Sequence, residues 1–195
     1  MPLISVDQVK QFVKSDPTYD EWLYAKAIAS AESYLRDKTD REWVEVTGAT
    51  TASARTFRPR CGETVLNIHD AASITSVVEN GVTLTAGTDY VADPLNNLST
   101  SGQWRPSSQL HRYAQAWYTD GPKATVTVTA KWGWSTLPAG ITIALCVCAK
   151  AYIMERDVAF GLVALGEDGT ATGARDAKAV RDFIAEHARY VALVR

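Results

Sequence analysis

At 195 residues, with 46% hydrophobic and 22% charged positions, the chain is long enough for one compact domain with a real core and is not of disordered composition. A formal net charge of −2 argues against a dedicated nucleic-acid binder, which would carry a basic stripe or tail. Residues 1–50 have a net charge of −3 and residues 175–195 a net charge of +2, an asymmetry that suits head-to-tail contact between copies and a plain solvated surface about equally.

Met1 to Asp7 lacks a signal-peptide pattern, and the most apolar segment, Ile141 to Met154, is interrupted by Lys150 and too short for a bilayer. The expectation is a protein made in the cytoplasm with no membrane partner. Cys61, Cys146 and Cys148 fit a reducing compartment and read as buried small hydrophobes. Cys146 and Cys148 are two apart on a predicted helix, so they point roughly 200° from each other and cannot share a metal.

In chain order, Ser5 and Gln8 form a capping box opening a short helix through about Val13. After Pro17 the spacing of Leu23, Ala27, Ile28, Ala31, Tyr34 and Leu35 predicts a helix from about Thr18 to Lys38. Strand character follows over residues 54–58, 64–68 and 74–78, with His69-Asp70 read as a turn. Asn80-Gly81 marks a type I′ hairpin into Val82-Thr83-Leu84, and Asp89 to Val91 is a further strand. Residues 93–123, rich in Pro, Asn, Ser and Gly, read as a long functional or partner-ordered loop.

Thr125 to Thr129 alternates hydroxyl and β-branched apolar residues, so residues 124–132 read as a strand with one buried face. Gly133 lets the chain bend between Trp132 and Trp134, which period two places on one face as core aromatics. Pro138 then suits the first turn of a helix over 139–157 that is apolar on almost every side. Residues 161–174 read as a flexible tether and 175–195 as an amphipathic docking helix, leaving 1–160 as the core. The predicted fold class is α+β, mainly helical: a bundle of three to four helices with a small antiparallel β-sheet and a long loop.

This ordered set resembles the head–tail connector (adaptor) proteins of long-tailed bacteriophages. The residues that carry the likeness are Ala31 to Leu35, Thr56 to Arg60, Asn80-Gly81 with Asp89-Tyr90, Val128 to Trp134, Leu137-Pro138 and Ala144 to Arg156. The resemblance implies a structural virion part at the head–tail junction and no enzyme. It would form a homo-oligomeric ring, twelve-fold in the virion, beneath the portal. The ring would bind the portal protein on one side and the next neck or tail protein on the other, while DNA passes without specific contact. The long 93–123 loop and the 161–173 glycine-rich stretch depart from shorter members. A stopper, a tail terminator, or a small cytoplasmic enzyme or binding domain are the alternatives.

No nucleophile elbow, phosphate loop or zinc-protease motif occurs. His69, Asp70 and Ser73 superficially suggest a triad, but neighbours on a strand point in alternating directions. No cofactor, catalytic or metal site is expected. Trp104, Trp117 and Tyr118 sit in polar loop context and read as partner-interface anchors. Val180, Phe183, Ile184, His187, Tyr190, Val191 and Val194 share one helical stripe, for packing in cis or on a neighbour. Arg55, Arg58 and Arg60 make at most a partial patch for phosphate; pairing with acidic groups of a neighbouring subunit is the stronger reading.

Overall fold

The computed structural model describes residues 2–13, 20–99, 102–119, 125–155 and 177–189. The chain divides into two compact units, Met1–Arg41 with Ala139–Arg195, and Glu42–Pro138.

The first unit is helical: α1 (Val6–Val13), α2 (Glu21–Thr39), α3 (Gly140–Glu155) and α4 (Lys178–His187). The capping box closes α1 reciprocally: the Ser5 N–H donates to Gln8 Oε1 at 2.7 Å and the Gln8 N–H to Ser5 Oγ at 3.2 Å. Tyr24, Ala27, Ile28, Ala31 and Leu35 form the buried stripe of α2, which stops where Asp40 turns left-handed (φ 51°). Pro138 stands two residues before α3 begins. Ile141, Ala144, Leu145, Cys146, Cys148, Ala149, Ala151 and Ile153 are all buried, because α3 packs against the other three helices.

Val180, Phe183 and His187 of α4 are buried too, packed on α2 and α3. Arg41 Nε donates to the His187 carbonyl at 2.8 Å, and the Arg189 N–H to the Thr39 carbonyl at 3.0 Å. Val180, Phe183 and His187 of the stripe therefore pack in cis. Read as a docking helix beyond a tether, 175–195 would be dispensable for folding; with Val180, Phe183 and His187 buried, it is not. Phe183→Ala should cost about 3 kcal/mol as a buried aromatic, and a chain lacking 175–195 should bind a hydrophobic dye such as ANS. An unchanged melting curve for both would contradict this packing.

The second unit is an antiparallel sheet of β1 (Ser53–Phe57), β2 (Val65–Glu79), β3 (Val82–Leu84), β4 (Tyr90–Asp93), β5 (Ser107–Arg112) and β6 (Val126–Trp132). The order is β1-β6-β2-β5-β4, with β3 also paired to β2. Asn80 (φ 46°) and Gly81 (φ 83°) make the expected hairpin turn. Inward residues Leu66, Ile68, Val77, Leu84, Leu110, Trp117, Val126, Val128 and Trp132 build its core.

Three expectations are overturned here. The protein is not mainly helical with a small sheet, since 34% of the described residues are helical and 29% are strand. His69-Asp70 is no turn, because β2 runs unbroken through it for 15 residues. Asp70 is fully buried in that strand and its Oδ2 accepts the Glu42 N–H at 3.3 Å, so a carboxylate occupies what polarity marks as a break. Register shifts near Asn67–Ala71, Ala71–Ser73 and Ile74–Ser76 let the first half of β2 pair with β5 and the second half with β6. Finally, β5 lies inside the predicted long loop; only Ser107 and Leu110 of its six residues are buried, too weak an alternation to read as a strand.

The cysteines also differ from expectation, since Cys61 is exposed while Cys146 and Cys148 are buried. Burial pushes the Cys146 thiol above its ordinary pKa, which further suppresses the reactive thiolate. Brief alkylation at neutral pH should label one cysteine in the native protein and all three after denaturation. Mass spectrometry reads this directly, and rapid native labelling at Cys146 would count against the buried α3.

Candidate interaction surfaces

The tryptophan–glycine–tryptophan junction closes the sheet unit through non-local pairing. Gly133 has φ +124°, so the alternation of β6 ends there and the two indoles enter different clusters. Trp132 contacts Phe57 and His69 and donates its indole N–H to the Ser53 carbonyl at 2.9 Å. Trp134 stacks on Trp43 with ring centroids 4.9 Å apart. Its backbone N–H donates to the Val44 carbonyl at 2.8 Å, and its carbonyl accepts the Val46 N–H at 2.7 Å. Both are core aromatics, but not on one strand face.

Of the three arginines, Arg55 is committed within the chain. It grips Glu42 through two hydrogen bonds of 2.5 and 3.0 Å, donates to His69 Nδ1 at 2.6 Å, and lies 4.6 Å from the Trp132 ring centroid. It is therefore poorly placed for phosphate. Arg58 and Arg60 flank the buried Pro59 beyond the end of β1, both exposed, and Arg60 stands 3.9 Å from Glu63. His69 points into this cluster, with its Nδ1 2.6 Å from Arg55 Nη1 and 3.8 Å from Glu42 Oε1.

Among the aromatics, Trp117 is a core residue at 2% exposure, which corrects its reading as a surface anchor. Trp104 is half-buried, edge-on to Trp134 at 6.0 Å. Tyr118 keeps 42% exposure. Its backbone N–H donates to Glu79 Oε1 at 2.7 Å, while Glu79 Oε2 lies 3.2 Å from Arg112. Arg112 also donates to the Asp89 carbonyl at 2.8 Å and caps the Trp117 ring. Sequence reasoning missed this pair, each side chain 8% exposed. Beside it Val82, Leu84, Gln115 and Tyr118 line an open recess of about 300 Å³.

In the helical unit, Ile184 is half-buried beside Val180, Phe183 and His187, whereas Tyr190, Val191 and Val194 lie outside the described residues, as does the 161–174 tether. Trp22, at 68% exposure, and Ile143, at 54%, are large apolar side chains left in water. Trp22 was detectable in sequence as an indole off the apolar stripe of α2. Among the described residues no group of three or more His, Cys, Asp or Glu could hold a metal ion, and no helix is long and apolar enough to cross a membrane.

No family model matches the chain, and no curated protein matches it. Solved structures do. The fold resembles a chain in the neck of an empty GTA particle computed with C6 symmetry, at TM-score 0.57 and 12% identity, covering 98% of this chain and 92% of that one. It also resembles a chain in the neck of a native GTA particle computed with C12 symmetry, at TM-score 0.54 and 11% identity, covering 100% of this chain and 97% of that one. Almost from end to end, then, the chain has the fold of proteins in the necks of such particles.

Proposed function

We propose that the chain is a head-to-tail adaptor: a structural virion protein that forms a ring beneath the portal, joins the DNA-filled capsid to the tail, and lets DNA pass. The end-to-end likeness to chains in symmetric particle necks is the observation that carries this reading. The exposed apolar side chains Trp22, Ile143, Val82, Leu95 and Tyr118 support it, as surface that identical copies or partners would cover. The low net charge suits a conduit, where a tight phosphate grip would hinder passage. On this reading one face of the ring meets the portal and the other the next neck or tail protein.

The likeness to a neck computed with C6 symmetry favours, as the second reading, a six-fold neck part such as a stopper or tail terminator. Imaging of particles containing the chain separates them. Twelve copies against the portal support the adaptor, six copies farther down the neck support the second reading, and absence from the neck overturns both.

A further inference from the structure

The loop between β4 and β5, residues 94–106, is a preformed knob. Asn97 takes a left-handed turn (φ 52°), and its Nδ2 donates to the Arg105 carbonyl at 3.0 Å and to Ser107 Oγ at 3.1 Å. The Arg105 N–H donates back to the Asn97 carbonyl at 2.7 Å, and the Ser99 N–H to the Gln103 carbonyl at 2.7 Å. This frame holds Leu95 and Leu98 in water, at 73% and 51% exposure. A loop already ordered by its own hydrogen bonds loses little further entropy when such side chains dock. The recess beside the Glu79–Arg112 pair is a matching hole. Val82, Leu84 and Tyr118 give it an apolar lining, and its volume of about 300 Å³ lies at the lower limit of small-molecule sites, about 300–1,000 Å³. That size suits one or two side chains of a protein.

Charge matches as well. Glu79 and Asp89 share the one guanidinium of Arg112, at 3.2 and 3.5 Å, which leaves this corner acidic by one charge. Of residues 94–106 only Arg105 is charged, and its side chain makes no ion pair among the described residues. Knob and hole stand at opposite ends of β6. Trp104 meets Trp134 just past the end of that strand, whereas Asn80, on the recess, donates to the Thr125 carbonyl just before its start. The seven residues of β6 lie between, about 20 Å at roughly 3.3 Å per residue. A knob therefore cannot fill the hole of its own chain. A second copy's can, and such a contact is heterologous, so it repeats from copy to copy.

We propose that copies of this chain join head to tail by seating Leu95 and Leu98 of one in the recess at Val82, Leu84 and Tyr118 of the next, with Arg105 reaching Asp89. This rests on the ring reading and names its contact. The leucines supply the buried apolar area, and the charge pair selects the orientation.

Two experiments on the full chain test it. Sedimentation at high concentration, alone and with the portal protein, reads association. Leu95→Asp with Leu98→Asp on the knob, or Val82→Glu on the hole, should each lower the association constant at least tenfold. All three side chains are exposed, so the fold should persist. Mixing the knob variant with the hole variant should give dimers and nothing larger, since one intact knob and one intact hole remain between them. Second, in a Cys61→Ser background, Val82→Cys and Leu95→Cys chains should cross-link to each other on mild oxidation far faster than either does to itself. One chain carrying both should give a ladder beyond dimer. Native-like association by every variant, with no preference for the mixed cross-link, overturns this contact while leaving a ring intact. A native chain that stays monomeric even with its portal defeats the ring reading as well.

Discussion

Gly133→Ala should destabilise the sheet unit by about 3 kcal/mol or more, seen as a fall of roughly 10 °C in its melting temperature. A Cβ built on Gly133 would stand 2.4 Å from the Val44 carbonyl oxygen and 3.2 Å from Val46 Cγ2. The first neighbour is backbone, held by the bonds that Trp134 makes to Val44 and Val46, so it cannot swing aside. The φ of +124° adds strain of its own, since L-residues rarely adopt that conformation. Gly81→Ala is the matched control. It also has positive φ (+83°), but nothing lies within 4 Å of the added carbon, so the loss should stay near 1 kcal/mol. Near-ultraviolet circular dichroism follows the Trp43–Trp134 stack in the same samples. Equal losses at the two positions would mean that conformation alone matters and that the close approach to Val44 does not.

The contrast between these glycines shows which features are legible in a sequence. The capping box and the Asn80-Gly81 turn use chemistry confined to four residues, and both appear where the sequence places them. Gly133 is legible as a bend, but its neighbour Val44 is 89 positions away and leaves no local trace. The same holds for β5, whose Ser107-Ser108-Gln109 start carries no alternation yet is bonded into the sheet by β2 and β4. Without β5, and with β2 split at a buried aspartate, the pattern predicts a small sheet in a mainly helical protein. The helices were easier because their stripes repeat within one element; even so, whether α4 packs in cis depends on α2 and α3, not on its own residues. For the interaction surfaces the lesson is similar. Polar context marked Trp117 as exposed, but the Arg112 guanidinium above it, supplied by the missed strand, closes it into the core.

The Glu79–Arg112 pair should behave as one unit under mutation. Breaking a buried ion pair from one side leaves an uncompensated charge in low dielectric, which costs about 3–5 kcal/mol, whereas removing both charges avoids that penalty. Glu79→Leu or Arg112→Met alone should each fall in that range, and the double variant should be more stable than the sum of the two predicts by at least about 2 kcal/mol. Recovery will not be complete. Glu79 also accepts the Tyr118 N–H, and Arg112 also holds the Asp89 carbonyl and covers Trp117, so residues 113–119 should exchange their amide hydrogens faster even in the double variant. That remainder ties stability to assembly, because the loosened segment presents Tyr118 and borders the recess with Val82 and Gln115. A double variant that folds as well as wild type but joins partners poorly would assign the pair to shaping that surface. Strictly additive losses in chemical denaturation would instead show that the two charges do not depend on each other, and the latch over Trp117 would have to be sought elsewhere.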